Sequence, residues 1–524
     1  MQNELEEKGE NNLRSKDSIL NFLTGIFGQI IMLVLGFVSR SLFLMILSVE
    51  YLGASGLFSS ILTMLSFAEL GVGTAIIYSL YKPLSEKNEE EIMALMNLFK
   101  KVYRIIGIVV FVFGMAFLPF LDLFVTDRKG IENLELIYVL FVVQTAISYF
   151  FSYNRSLITA DQKAYKLVKL DYANKILHVL APIAILALTR SYIAYLLTQI
   201  AVTFLWNLCT YFKVQNMYPI LKMHRKVTLS QETKKAIIKN TLALLIYKIA
   251  IVVTSGTDNI LISRFFGLTA VGLCSNYTLI TQNMTALVSQ GINAVTASVG
   301  NLSSTESDEK KYSIFKVLFF VNFWIYAYVS IGLYLCASPL VSVVFGSQYV
   351  ISNLTLAAMV LGFFVLGMQG ATSVFRDAQG LFWYGKLRPL AQTIINLGAS
   401  ILLAIIMKDI SSIFWGTVIS RLATSFWYDP LVVYRHGFKR PVSSYFIRYT
   451  LYVIIAVVAL FTCYFIVTLI NIANPILNLV IRVIICTIIV NGIFLVVFSR
   501  TTEFKYICNM LKNFIKLRKK NNND

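Results

Sequence analysis

The chain has 524 residues, 57% hydrophobic and 14% charged, with a mean hydropathy of +0.70. Soluble domains carry roughly 25% charged residues, so this balance excludes an ordinary soluble protein. The net charge of +19 does not indicate a nucleic-acid partner in so apolar a chain; loop topology and attraction to anionic lipid account for it.

Residues 1–18 are polar and mixed in charge, unlike a cleavable signal peptide. A hydrocarbon core needs roughly 20 apolar residues per helix. Stretches meeting that need are expected at 19–47, 57–81, 102–121, 134–153, 172–189, 192–212, 240–263, 271–297, 314–336, 354–375, 390–407, 411–429, 449–470 and 477–499. Of the 46 Lys and Arg, 37 lie in the two tails and in or at the edges of every second gap, and 6 lie in or near the opposite gaps. Cytoplasmic loops hold the excess of Lys and Arg, so both termini are expected in the cytoplasm. The longest outside loops are expected near 122–133 and 337–353, with no room for an external catalytic domain.

The first half of the chain echoes in the second. Ile158–Lys166 reads ITADQKAYK and Phe375–Trp383 reads FRDAQGLFW, an offset of 217 that sets Gln162 on Gln379. Gly53-x-x-Gly56-Leu57 echoes Gly267-x4-Gly272-Leu273 at a similar offset. The reading is an all-α integral membrane protein of 14 transmembrane helices. Two pseudo-symmetric six-helix lobes, 19–212 and 240–429, are joined by a basic cytoplasmic linker at 213–239. A helix pair at 430–499 and a basic tail at 500–524 follow. Internal repeats of this kind are common in transporters that rock one half against the other. In the tail, Phe504, Ile507, Met510, Leu511, Phe514 and Ile515 fall at helical intervals. That spacing fits a helix on the cytoplasmic leaflet or a solvated basic tail, with residues 521–524 disordered.

Six scattered cysteines without a CxxC, and three histidines far apart, give no redox or metal signal. There is no GxxxxGK[ST] phosphate loop, no HExxH and no GxSxG. No cofactor is expected.

Ionisable groups inside a bilayer are costly and usually face a cavity or a partner. Here they are Arg40, Glu69, Lys248, Asp258, Arg421 and Asp429, with Arg264 and Arg482 near span ends. Snorkelling to the headgroups is the default for those last two, and Asp429, beside Pro430, reads as a boundary residue. The seventh span gathers Asn240, Tyr247, Thr254, Ser255 and Asp258 on one sector, edged by Lys248 and Asn259. The eighth carries Asn276, Asn283 and Gln290 seven apart, and the first carries Gln29 and Arg40 on a small-residue stripe. Such stripes either make interhelical hydrogen bonds or line a water-filled cavity. For Arg40, Lys248 and Asp258 the cavity reading is preferred, because a cationic cleft attracts phosphate and Arg binds it bidentately. Glu69 and Asp258 would neutralise these cations, or exchange H⁺ or Na⁺ during transport.

Several segments resemble bacterial polysaccharide flippases of the Wzx type, in the superfamily that includes MATE multidrug exporters and the lipid II flippase. They are Tyr51-Leu-Gly-Ala-Ser-Gly-Leu-Phe58, Ala68-Glu-Leu-Gly-Val-Gly73, Leu80-Tyr-Lys-Pro-Leu84, Thr257-Asp-Asn-Ile-Leu-Ile-Ser263, Asn276-Tyr277 and Phe382-Trp-Tyr-Gly-Lys-Leu-Arg-Pro389. The resemblance implies two six-helix lobes in a V around a cationic cavity, working by alternating access in the bacterial inner membrane. It implies a substrate of undecaprenyl-pyrophosphate-linked oligosaccharide, moved to the outer leaflet for capsule, exopolysaccharide or O-antigen synthesis. Arg40, Lys248, Arg264 and Arg421 are the implied pyrophosphate ligands. Membrane lipids, a polysaccharide polymerase and glycosyltransferases are the implied partners. The alternatives are a MATE-like cation antiporter, a lipid II flippase and a polysaccharide polymerase.

Overall fold

Long apolar runs, bounded by polar residues that cap helices, dictate an all-helical chain. The computed structural model describes residues 28–69, 72–125, 130–222, 229, 231–385, 387–470 and 472–521. The helices are α1 (Gly28–Ile46), α2 (Val49–Leu65), α3 (Val72–Ser85), α4 (Glu89–Ala116), α5 (Leu134–Ala160), α6 (Val168–Thr189), α7 (Tyr192–Met217) and α8 (Gln231–Thr305). There follow α9 (Asp308–Val344), α10 (Asn353–Met368), α11 (Gly370–Ala378), α12 (Arg388–Met407), α13 (Ser411–Ala423), α14 (Ser425–Val432), α15 (Ser443–Leu469), α16 (Pro475–Phe498) and α17 (Thr502–Asn521). The starts follow side-chain capping of exposed N–H groups: Asn88 accepts from Glu91 N, Ser307 from Lys310 N and Asn474 from Ile476 N and Leu477 N.

Ten helices among the described residues are long and apolar enough to cross a membrane. This differs from the fourteen stretches of the hydropathy reading for local reasons. The expected continuous span at 57–81 is interrupted: α2 stops at Leu65, a 3₁₀ turn runs from Ser66 to Glu69, and α3 starts at Val72. In α8 one run of helical backbone passes through two expected spans, and Gly267 (φ 83°) kinks it between them. α4 carries Lys100, Lys101 and Arg104 where its apolar run begins. The expected outside loop at 337–353 is mostly helix, because α9 continues to Val344 and Ser338 bonds Tyr277 at 3.1 Å. The tail is helical as α17.

The chain divides into two compact units, Met32–Ser275 with Lys408–Ile410, and Asn276–Met407 with 411–521 and 28–31. In the first, Ile76, Leu80, Leu95, Phe99, Leu157 and Val214 form a buried core among α3, α4, α5 and α7. In the second, the core is aromatic. Phe323 stacks on Tyr452 at 4.3 Å and Phe319 on Tyr445 at 4.8 Å, joining α9 to α15. Trp324 Nε1 donates to Asn491 at 2.8 Å and Tyr328 bonds Thr487 at 2.8 Å, joining α9 to α16. Without water to drive apolar association, close packing and such hydrogen bonds hold membrane helices together.

The echoed segments have matching local geometry. Two residues past the end of α5, Gln162 (φ 55°) precedes a 3₁₀ turn at Ala164–Leu167, and two residues past the end of α11, Gly380 (φ 67°) precedes one at Leu381–Gly385.

Candidate functional site

Arg40 sits in the second half of α1, half-buried, and its Nη1 donates to Ser275 Oγ at 2.8 Å. Ser275 Oγ in turn donates to the Gly272 carbonyl at 2.8 Å. Tyr195 of α7 lies within electrostatic reach of the guanidinium. A guanidinium presents five N–H donors in a rigid fork that matches a phosphate edge, and Ser275 fixes one arm of that fork.

Glu69 lies at the end of the 3₁₀ turn that interrupts the second expected span. The phenols of Tyr103 (α4) and Tyr149 (α5) both lie within electrostatic reach of its carboxylate. The carboxylate is thus held among neutral hydroxyls. In the same unit Asn259 donates to the Gly56 carbonyl at 3.3 Å and to Ser60 Oγ at 3.0 Å. Its amide ties α8 to α2, which is the packing reading of a polar stripe. Asp258 is half-buried and Arg264 is exposed.

In the other unit, Gln29 Nε2 donates to Asn283 Oδ1 at 3.2 Å, so the stripes of the first and eighth expected spans meet. Asn276 is fully buried. Arg421 donates from Nη1 to the Gly362 carbonyl at 2.6 Å, tying α13 to α10. Arg482 bonds Asn478 at 2.8 Å and the Leu335 carbonyl at 3.4 Å. Asp429 is 1% exposed and anchors two cations, Arg388 at 2.6 Å and Arg376 at 3.2 Å. It is the centre of a buried charge cluster. Arg376 lies within the FRDAQ echo and Arg388 within the Phe382–Pro389 segment, and no other sequence signal distinguishes them from the other loop cations. The side chains of Asn240, Tyr247, Lys248 and Gln290 lie outside the described residues. Among the described residues no His, Cys, Asp and Glu group has the form of a metal site.

The polysaccharide biosynthesis protein family matches residues 45–354. No curated protein sequence matches the chain. Among solved structures, it is similar to the lipid II flippase MurJ in an inward closed conformation, with TM-score 0.65 and 13% identity over 91% of this chain and 99% of that one. It is similar to an inward-facing multidrug resistance MATE family transporter of the MOP superfamily, with TM-score 0.61 and 15% identity over 76% and 93% of the two chains. A third likeness is to a MOP superfamily transporter from Pyrococcus furiosus described as having a binding pocket of reversed polarity, with TM-score 0.53 and 13% identity over 80% and 96%. At these identities the likeness is one of fold.

Proposed function

We propose that this chain, which belongs to the polysaccharide biosynthesis protein family, is a flippase that moves undecaprenyl-pyrophosphate-linked oligosaccharide from the inner to the outer leaflet of the cytoplasmic membrane. The observation that carries the reading is Arg40, a guanidinium held inside a membrane helix by Ser275. A cation at that depth is costly unless it has a task, and a pyrophosphate is the anion a planar donor fork suits. Lys248 and Arg264 are further candidates for the same anion. Arg421 is a weaker one, since its guanidinium is committed to a helix carbonyl. The resemblance to a lipid II flippase in fold supports a lipid-linked cargo. The Lys and Arg distribution supports cytoplasmic termini, and H⁺ or Na⁺ exchange at Glu69 or Asp258 would drive the cycle.

A second reading, a MATE-like cation antiporter, draws on the Glu69 carboxylate among Tyr103 and Tyr149. Reconstitution separates the two. Vesicles holding the purified chain should expose a labelled polyprenyl-pyrophosphate oligosaccharide to an outside enzyme, and Arg40→Ala should slow that exposure. Cationic dye efflux without lipid movement would favour the antiporter.

A further inference from the structure

Past α14 the helix widens into a π-helix, Val433–Phe438. Such turns are rare and concentrate at functional sites. The turn ends at Lys439, whose left-handed backbone (φ 54°) reverses the chain, and Arg440 N closes it on the Tyr434 carbonyl at 3.0 Å. Tyr434 and Phe438 are buried and pack against Phe315 of α9 at 5.6 and 5.2 Å. The backbone is therefore pinned from beneath by aromatic packing.

On its other side the same turn presents Arg435, Lys439 and Arg440 around a cavity of about 430 Å³, lined also by Leu431, Pro441 and Val442. Lys439 is steadied by Asp308 at 3.5 Å and Arg440 by Glu309 at 3.6 Å, with Tyr312 under the Arg440 guanidinium at 4.6 Å. Arg435 is exposed and makes no ion pair among the described residues. The three cations outnumber the two carboxylates, and Arg435 carries the excess. Cations above an apolar floor complement a phosphodiester with its acyl chains, and basic pockets beside membrane helices bind anionic headgroups.

We propose that this cavity docks an anionic glycerophospholipid, its phosphate between Arg435, Lys439 and Arg440 and its upper acyl chain on Leu431 and Val442. The site is separate from Arg40 and does not depend on what the protein transports.

The test uses the full chain in nanodiscs of phosphatidylcholine with a minor share of phosphatidylglycerol, reading by mass spectrometry the lipid retained through delipidation. Wild type should retain phosphatidylglycerol preferentially. Each cation removed in R435Q/K439Q/R440Q should lower that preference about fivefold. Leu431→Trp keeps the charge and fills the floor, and should lower it as well. Should the triple variant fail to elute as a folded monodisperse species, Arg435→Gln alone, which breaks no ion pair, should still lose about fivefold. An unchanged preference in the folded cation variant overturns the site. So does full retention by Leu431→Trp, which would mean diffuse surface attraction.

Discussion

A Cβ placed on Gly53 would lie 1.9 Å from the carbonyl oxygen of Leu268. The counterpart holds across the same contact, where a Cβ on Gly272 would lie 2.3 Å from the Val49 carbonyl. The two glycine motifs that echo each other in sequence thus face each other between α2 and α8. Small residues at such crossings let backbones approach closely.

Gly53→Ala should accordingly destabilise the protein by about 1–3 kcal/mol, since backbone cannot yield as a flexible side chain can. Gly398 in α12 has nothing within 4 Å of its added Cβ, and Gly398→Ala should be neutral or stabilise by about 0.5–1 kcal/mol. Thermal unfolding of both variants in one detergent checks the contrast, and equal loss in both would refute the close-contact account.

Asp429 holds Arg376 and Arg388 together while being almost fully buried. Removing one partner of a buried ion pair costs about 3–5 kcal/mol, because the opposite charge stays buried. Asp429→Ala should therefore sharply reduce the yield of folded protein. Arg376→Gln should cost less, since the shorter bond to Arg388 survives. A double-mutant cycle over Asp429 and Arg388 should give a large coupling, and additivity would contradict the cluster.

The start of α17 is tied down by Glu503, which accepts from Arg448 of α15 at 2.7 Å, while Phe504 stacks on Trp324 at 6.0 Å. Burial alone would raise the Glu503 carboxyl, but the Arg448 guanidinium and the Thr502 hydroxyl bring it below its usual value. A depressed folded-state pKa means that the contribution is complete above the unfolded value, about 4.3 for Glu. It is lost as pH falls through the lower folded value. Proteolytic cleavage within α17 should thus rise as pH drops below about 4.3. In Glu503→Gln it should be high and flat with pH; a steep acid dependence in that variant would contradict the assignment.

The legible part of this architecture was what hydropathy reports. α5, α9, α15 and α16 each contain a long apolar stretch and fall where the apolar runs lie. The 3₁₀ turn at Ser66–Glu69 was hidden, because backbone geometry leaves little trace in composition. Charges were harder still. Arg421 reads in sequence like Arg40, yet one bonds a helix carbonyl and the other a serine hydroxyl. Arg376 and Arg388 read as ordinary loop cations, and their inward turn onto Asp429 depends on tertiary approach that no spacing encodes. Among the polar stripes, Asn259 and the Gln29–Asn283 pair proved to be interhelical ties.

Arg40→Lys keeps the charge and loses the planar fork, so transport should fall several-fold while Arg40→Ala falls further. Ser275→Ala removes one bond to a charged group, worth about 1.5–3 kcal/mol, and should fall between them. Membrane insertion should persist in all three, because removing a buried charge lowers the cost of insertion. Normal transport in Arg40→Ala would remove Arg40 from the site.

The most direct measurement follows lipid-linked oligosaccharide in cells depleted of this protein and then supplied with wild type or Arg40→Ala. The account predicts accumulation on the cytoplasmic face on depletion, full clearance by wild type and poor clearance by the variant. Normal turnover in depleted cells with no other flippase present would contradict it.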